Sequence, residues 1–124
     1  MNNLVRLKTI VSRNSTNLDK VTAINSDVSS VMTASQMINS SIFTGTPGSA
    51  ITLTTATATE IYNALSTPEI GNWFEFTVIS LAAFSIKLIA STGVTIVGNA
   101  VANNSSATFI CRIDSDTAVT IYRK

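Results

Sequence analysis

Few residues of this sequence have side chains that perform acid–base or metal chemistry. The sequence has no histidine and seven carboxylates, of which only Asp114 and Asp116, in IDSDTA, lie close together. A D-x-D pair can ligate a hard cation such as calcium, but an EF-hand loop also needs a glycine and a distal glutamate, which are missing here. Asp and Ser also favour turns, because their side chains bond to nearby backbone amides. We therefore predict a hairpin turn at this position and no metal site.

Nucleophilic catalysis has no recognisable base in this sequence. Ser and Thr make up 34 of the 124 residues, yet without histidine a Ser nucleophile would need a lysine or an N-terminal amine as its base, and neither Lys20 nor Lys87 lies in a known motif. The single cysteine, Cys111, alternates with Phe109 and Ile113 and is expected to be a small buried hydrophobe. The glycines form no phosphate-binding loop. We predict a protein that is not an enzyme and that binds no cofactor and no small-molecule substrate.

Charge and composition exclude several classes of protein. Only 12% of the residues are charged and the net charge is +1, so the chain has no field that concentrates nucleic acid, and its basic residues lack interleaved aromatics. One cysteine excludes an internal disulfide. No apolar run approaches the roughly 20 residues of a membrane span, and Arg6 and Lys8 interrupt the apolar N-terminal stretch, unlike a signal peptide. We expect no nucleic-acid partner, no membrane partner and no secretion through a membrane.

A stretch rich in glycine and proline divides the chain. The sequence SSIFTGTPGSA, residues 40–50, contains enough glycine and proline to end any regular element. This predicts an N-terminal arm over residues 1–39, a linker over residues 40–49 and one folded domain over residues 50–124. The length of the chain suits a single domain with one core.

The arm has apolar residues at helical spacing. From Leu18 to Ile38 they fall at the a and d positions of a heptad, and β-branched residues at both positions favour three-stranded coiled coils, hence a trimer. The intervening Ser, Thr and Asn are poor helix formers, so an extended arm lying on another subunit is the alternative. Either form requires a partner to bury its apolar side chains. The arm residues predicted to contact another subunit are Val21, Ile24, Val28 and Val31.

The remainder of the chain has the spacing of an all-β domain with one short helix. AITLTT alternates apolar and polar residues, as a half-buried strand does. Thr57 and Glu60 form a capping box, which predicts a short helix that stops before Pro68. The stretches WFEFTVIS, FSIKLIA, VTIVG, SATFICRI and AVTIYRK then follow, separated by turn signals. This spacing predicts an antiparallel meander or sandwich rather than βαβ units, and we expect an antiparallel β-sandwich of jelly-roll type.

A period of two separates core residues from a second apolar face. Phe74, Phe76 and Val78 share one face of WFEFTVIS and are predicted to be core, and Glu75 on the other face is predicted to pair with Lys87 of a neighbouring strand. Large apolar residues on the second face would be exposed in a monomer. Either the arm covers this face, or its residues contact other subunits. We predict subunit contact for Trp73, Ile79, Ile89 and Ile110.

Residues 50–124 resemble a β module found in structural proteins of tailed phages and other viruses, notably small capsid decoration (cement) proteins and the ends of head or tail fibres. The resemblance lies in GNWFEFTVIS, IKLIASTGVTIVG, SSATFICRI and AVTIYRK, with TATEIYNALSTPEIG as the lead-in. It implies an oligomeric, trimeric or similar β domain displayed on a virion, without enzymatic activity.

The resemblance implies a decoration protein that binds the major capsid protein of the assembled shell. Such a protein is made in the host cytoplasm and ends on the capsid surface, and the shortness of the chain favours it over a fibre. The arm residues expected to anchor it to the capsid are Leu4, Arg6, Leu7 and Lys8. The alternative is a fibre or appendage tip that binds a host glycan or protein, with loops such as NAVANNSS and LAA presenting the contacts.

Overall fold

The described part of the fold is mostly β, as the sequence predicts, with two mixed sheets and two short helices. The computed structural model describes residues 21–23, 29–39 and 42–124. The helices in this part of the chain are α1 (Ala34–Asn39) and α2 (Ala58–Ala64). The strands are β1 (Val21–Ala23), β2 (Ser30–Val31), β3 (Ile42–Gly45), β4 (Ile51–Thr54), β5 (Trp73–Ser80), β6 (Ile86–Ile89), β7 (Val94–Val97), β8 (Ala100–Val101), β9 (Ser106–Ser115) and β10 (Ala118–Arg123).

The chain alternates between the two sheets from β1 to β9. The six-stranded sheet has the order β1-β3-β5-β9-β10-β7 and the four-stranded sheet the order β2-β4-β6-β8. Neighbouring strands β1, β3 and β5 are parallel, with Val21 opposite Ile42 and Ile42 opposite Thr77. Strands β2, β4 and β6 are parallel in the same way. This part of the chain therefore winds as a coil in which each turn adds one strand to each sheet.

The predicted antiparallel order is wrong for the coil and correct for part of the C-terminal region. Strand β9 is antiparallel to both β5 and β10, and β9 and β10 form the predicted hairpin, with its turn at Asp116 and Thr117. At the edge of the sheet, β7 is parallel to β10. The alternation of apolar residues reports which face of a strand is buried, and it does not report the direction of the neighbouring strand. That is why the burial prediction was correct where the pairing prediction was not.

Both helices lie in connections that run from the four-stranded sheet to the six-stranded sheet. The predicted capping box of α2 is confirmed, because the Glu60 amide donates to Thr57 Oγ1 (3.1 Å) and the Thr57 amide donates to Glu60 Oε1 (2.9 Å). The helix ends at Leu65, before Pro68 as predicted. Helix α1 lies at the C-terminal end of the heptad region, where the sequence allowed either a helix or an extended arm, and its Met37 is fully buried.

Several described residues from the predicted arm and linker belong to the sheets and the core. Strand β3 lies inside the predicted linker, between β1 and β5, and its Phe43 is buried. The described residues of the heptad region form strands β1 and β2 as well as α1, so a continuous helix is wrong there. Met32, which follows β2, and Met37, in α1, join the same buried cluster as Phe43, so this region packs on the core of its own subunit. The heptad residues Ile24 and Val28 lie outside the described residues.

The core contains a row of three aromatic rings on adjacent strands. The ring of Phe76 on β5 stacks on Phe109 of β9 (centroids 5.5 Å apart) and meets the edge of Phe43 on β3 (5.9 Å). Such pairs contribute about 0.5–1.5 kcal/mol each beyond their buried area. The predicted core residues Phe76 and Val78 are buried, as are the alternating residues Phe109, Cys111 and Ile113, while Phe74 is half-buried.

Candidate assembly surface

The outer face of the six-stranded sheet, the side turned away from the core, presents exposed aromatic and apolar side chains. Strand pairing places Trp73 opposite Arg112, and Ile110 opposite both Glu75 and Tyr122. Tyr122 in turn lies opposite Val97 of the edge strand β7. Directly opposite residues project on the same side of a sheet. We call the following residues the assembly face: Trp73, Glu75, Ile79, Val97, Ile110, Arg112, Tyr122 and Lys124.

Trp73 is the most exposed aromatic residue of the assembly face. Its relative exposure is 59%, and Val97 at the far edge of the sheet is 52% exposed. Between them, Ile110 and Tyr122 are half-buried. The apolar side chains therefore extend across β5, β9, β10 and β7 rather than lying as single exposed residues, and extended apolar surface of this kind is typical of interaction sites.

A polar network fixes Arg112 beside Trp73. The guanidinium of Arg112 lies over the ring of Tyr122, 5.3 Å from its centroid, and its Nε donates to Asp114 Oδ1 at 2.8 Å. The hydroxyl of Thr120 donates to the other carboxylate oxygen of Asp114. The hydrogen bond from Thr120, followed by the bond and charge of Arg112, lowers the pKa of Asp114, and the bond to Asp114 raises the pKa of Arg112. Both groups are charged at neutral pH, and the Arg112 side chain already has two partners within its own subunit.

The assembly face has charges of both signs. Besides the Arg112–Asp114 pair, Lys124 Nζ lies 3.7 Å from Glu75 Oε2, and both side chains are exposed. An exposed pair of this kind adds at most about 1 kcal/mol to stability. The predicted pairing of Glu75 with Lys87 is wrong, because Lys87 belongs to β6 in the other sheet. A face with both signs can complement a second copy of itself.

The residues that the sequence predicted to contact other subunits lie on two different sheets. Trp73, Ile79, Ile110 and Val21 all project from the outer face of the six-stranded sheet. Val31 and Ile89 project from the outer face of the four-stranded sheet, on either side of Thr54. The predicted anchoring residues Leu4, Arg6, Leu7 and Lys8, together with Ile24 and Val28, lie outside the described residues.

Tyr122 and Val97 are members of the assembly face that the sequence analysis missed. In AVTIYRK, Tyr122 is out of phase with the buried residues Val119 and Ile121. That alternation was sufficient to assign Tyr122 to an outer face. Its position opposite Ile110 and Val97 depends on strand register, which the spacing of apolar residues does not reveal.

The described residues meet the requirements of neither a metal site nor a membrane-spanning helix. Among them, no group of three or more His, Cys, Asp and Glu side chains is placed to hold a metal ion. No helix in the described ranges has the length and apolar character needed to cross a membrane. Comparison with known proteins found no matching family model, no matching curated protein and no matching solved structure. Self-association is therefore inferred from the chemistry of the surface.

Proposed function

We propose that this chain is a structural protein of a virus, a decoration protein that associates with copies of itself and with the assembled capsid. The observation that supports self-association is an exposed Trp73 beside the fixed Arg112–Tyr122 pair. Tryptophan, tyrosine and arginine are the residues that most often dominate the binding energy of protein interfaces. Because Arg112 is already ordered by Asp114, little side-chain entropy is lost when a partner covers it.

A trimer is the favoured oligomer. Subunits of a closed ring of three meet through two different surfaces, whereas the subunits of a two-fold dimer meet through the same surface. The assembly face is one candidate surface. The outer face of the four-stranded sheet is the second, because Val31 is 68% exposed and Ile89 is 37% exposed there. In the proposed ring, the assembly face of one subunit contacts the four-stranded sheet of the next.

The mechanism is mass action. A protein that binds only the assembled shell stabilises that shell by its binding free energy. Three linked subunits turn weak individual contacts into high avidity, since binding of the first raises the effective concentration of the others. The proposed location is the capsid surface, and the proposed partner there is the major capsid protein. The predicted anchor consists of Leu4, Arg6, Leu7 and Lys8.

The experiment compares the full chain with a variant lacking residues 1–17. Virions purified from the host that produces the chain are stripped of surface proteins and incubated with each purified form, and binding is read by co-sedimentation. The full chain should sediment with the particles, while the shortened chain should remain oligomeric but stay in the supernatant. Binding of the shortened chain at full strength would contradict the anchoring role. Failure of the full chain to bind any particle would contradict the proposed function itself.

A further inference from the structure

One end of the molecule contains a depression between two loops. The loops are residues 81–85, which follow β5, and residues 102–105, which precede β9. The first loop contains the sequence LAA, and the second contains ANNS from the sequence NAVANNSS. The depression has a volume of about 320 Å³, which lies within the roughly 300–1,000 Å³ typical of small-molecule sites. Its lining residues are Ile79, Ser80, Leu81, Asn104, Ser105 and Ser106.

Hydrogen bonds fix the two walls of the depression to each other and to the sheet. The backbone amide of Asn104 donates to the carbonyl of Ala82 (2.9 Å), and the backbone amide of Ser80 donates to the carbonyl of Ser105 (2.8 Å). The buried hydroxyl of Ser80 donates to the carbonyl of Phe84 (2.7 Å). These bonds cross from one loop to the other or close a loop on itself. The depression is therefore formed before a ligand arrives.

The polar side chains of the depression are available to a ligand. Within the described contacts, the side-chain amide of Asn104 and the side-chain hydroxyls of Ser105 and Ser106 make no hydrogen bond to the chain. Asn104 has a φ of 49°, a left-handed conformation that asparagine adopts more readily than most residues. Next to these groups, the side chain of Leu81 is 57% exposed. Unpaired hydroxyl and amide groups thus lie beside an exposed apolar side chain.

The residues that line the depression carry no charge. No charged residue occurs from Phe76 to Ile86 or from Leu88 to Cys111. A charged ligand would lose hydration there without gaining a countercharge, which is unfavourable. The ligand that fits is neutral, has many hydroxyl groups and has one apolar face.

We propose that this depression binds a neutral saccharide. The C–H face of a sugar ring would pack on Leu81 and Ile79, and its hydroxyls would exchange hydrogen bonds with Asn104 and the two serines, Ser105 and Ser106. The site lies at the loop end of the molecule. It shares Ile79 with the assembly face but contains neither Trp73 nor Arg112. It adds a recognition activity to the proposed structural role and does not depend on it.

The experiment uses the full chain and its Asn104→Gly variant. Glycine accepts the backbone conformation at this position, so the variant loses the amide while keeping the loop. Saturation-transfer NMR is recorded with neutral hexose and N-acetylhexosamine oligosaccharides, with sialylated oligosaccharides and with an uncharged extended peptide. We expect millimolar or tighter binding of a neutral oligosaccharide, weakened about tenfold by Asn104→Gly, which corresponds to the loss of one or two hydrogen bonds.

Two further variants make the outcome decisive. Leu81→Ala should weaken saccharide binding, whereas Trp73→Ala, on the assembly face, should leave it unchanged. The proposal is overturned by absence of binding to all neutral oligosaccharides, by binding that Asn104→Gly does not affect, or by binding restricted to the sialylated probes or the peptide. Sedimentation of the same samples reports self-association separately, so failure of this proposal is distinguishable from failure of the proposed structural function.

Discussion

Replacement of Trp73 by alanine tests self-association through the assembly face. A tryptophan buries about 150–250 Å² when fully covered, and 59% of this residue is exposed, so a partner subunit can cover on the order of 100 Å² of it. At about 25 cal/mol per Å², this area is worth about 2–3 kcal/mol per interface. Alanine retains a small part of the contact. We expect a loss of about 2 kcal/mol, which raises the dissociation constant about 30-fold.

The assay combines sedimentation velocity with intrinsic fluorescence over a range of protein concentrations. Trp73 is the only tryptophan of the chain, so its emission reports directly on coverage of the assembly face. As the wild-type chain associates, the emission should move to shorter wavelength and the sedimentation coefficient should rise over the same concentrations. Leu81→Ala is the matched control, because Leu81 is 57% exposed at the loop end and should not alter association.

Two results would refute this reasoning. A wild-type chain whose sedimentation coefficient and emission are both independent of concentration, with the values of a monomer, has no self-association for Trp73 to support. Equal weakening by Leu81→Ala and Trp73→Ala would show that association depends on exposed apolar area in general rather than on the assembly face.

Two remaining predictions concern stability and reactivity. Gly93→Ala should lower the free energy of unfolding by about 2–4 kcal/mol and Gly71→Ala by about 1–2 kcal/mol, measured by denaturant titration. Both glycines have positive φ, but a Cβ at Gly93 would lie 2.4 Å from the carbonyl oxygen of Thr117, while a Cβ at Gly71 would meet no neighbouring atom within 4 Å. Equal losses of unfolding free energy in the two variants would contradict this account. Burial raises the pKa of the Cys111 thiol to about 12, so at pH 8 the thiol is protonated in the folded chain. Iodoacetamide should label it only after unfolding, and rapid labelling of the native protein would show that the core opens at β9.

The sequence was informative about burial and local hydrogen bonding. Alternation in WFEFTVIS placed Phe76 and Val78 in the core, because a strand exposes its two faces to different environments. The capping box at Thr57 and the turn after Asp114 were also readable, since each depends on residues a few positions apart. These features require no knowledge of which strands are neighbours.

Strand partners were not readable from the sequence. Val21 pairs with Ile42, and Ile42 pairs with Thr77, yet no pattern within any of the three segments specifies its neighbour. The glycines and proline near residue 45 were interpreted as a linker, although Gly45 is the last residue of a buried strand. The arrangement of the assembly face likewise follows from strand pairing, and this is why the position of Tyr122 opposite Ile110 was missed and Glu75 was assigned the wrong partner.

The coil also determines how the molecule responds to force. A pull applied to β1 acts on a strand that pairs with β3 over three residues, at the edge of the described sheet. In the middle of that sheet, β5 and β9 pair over seven residues. Elements with few contacts open at lower free energy than central strands. A subunit pulled through β1 would lose its paired strands one turn of the coil at a time, and β5, β9 and β10 would be the last strands to separate.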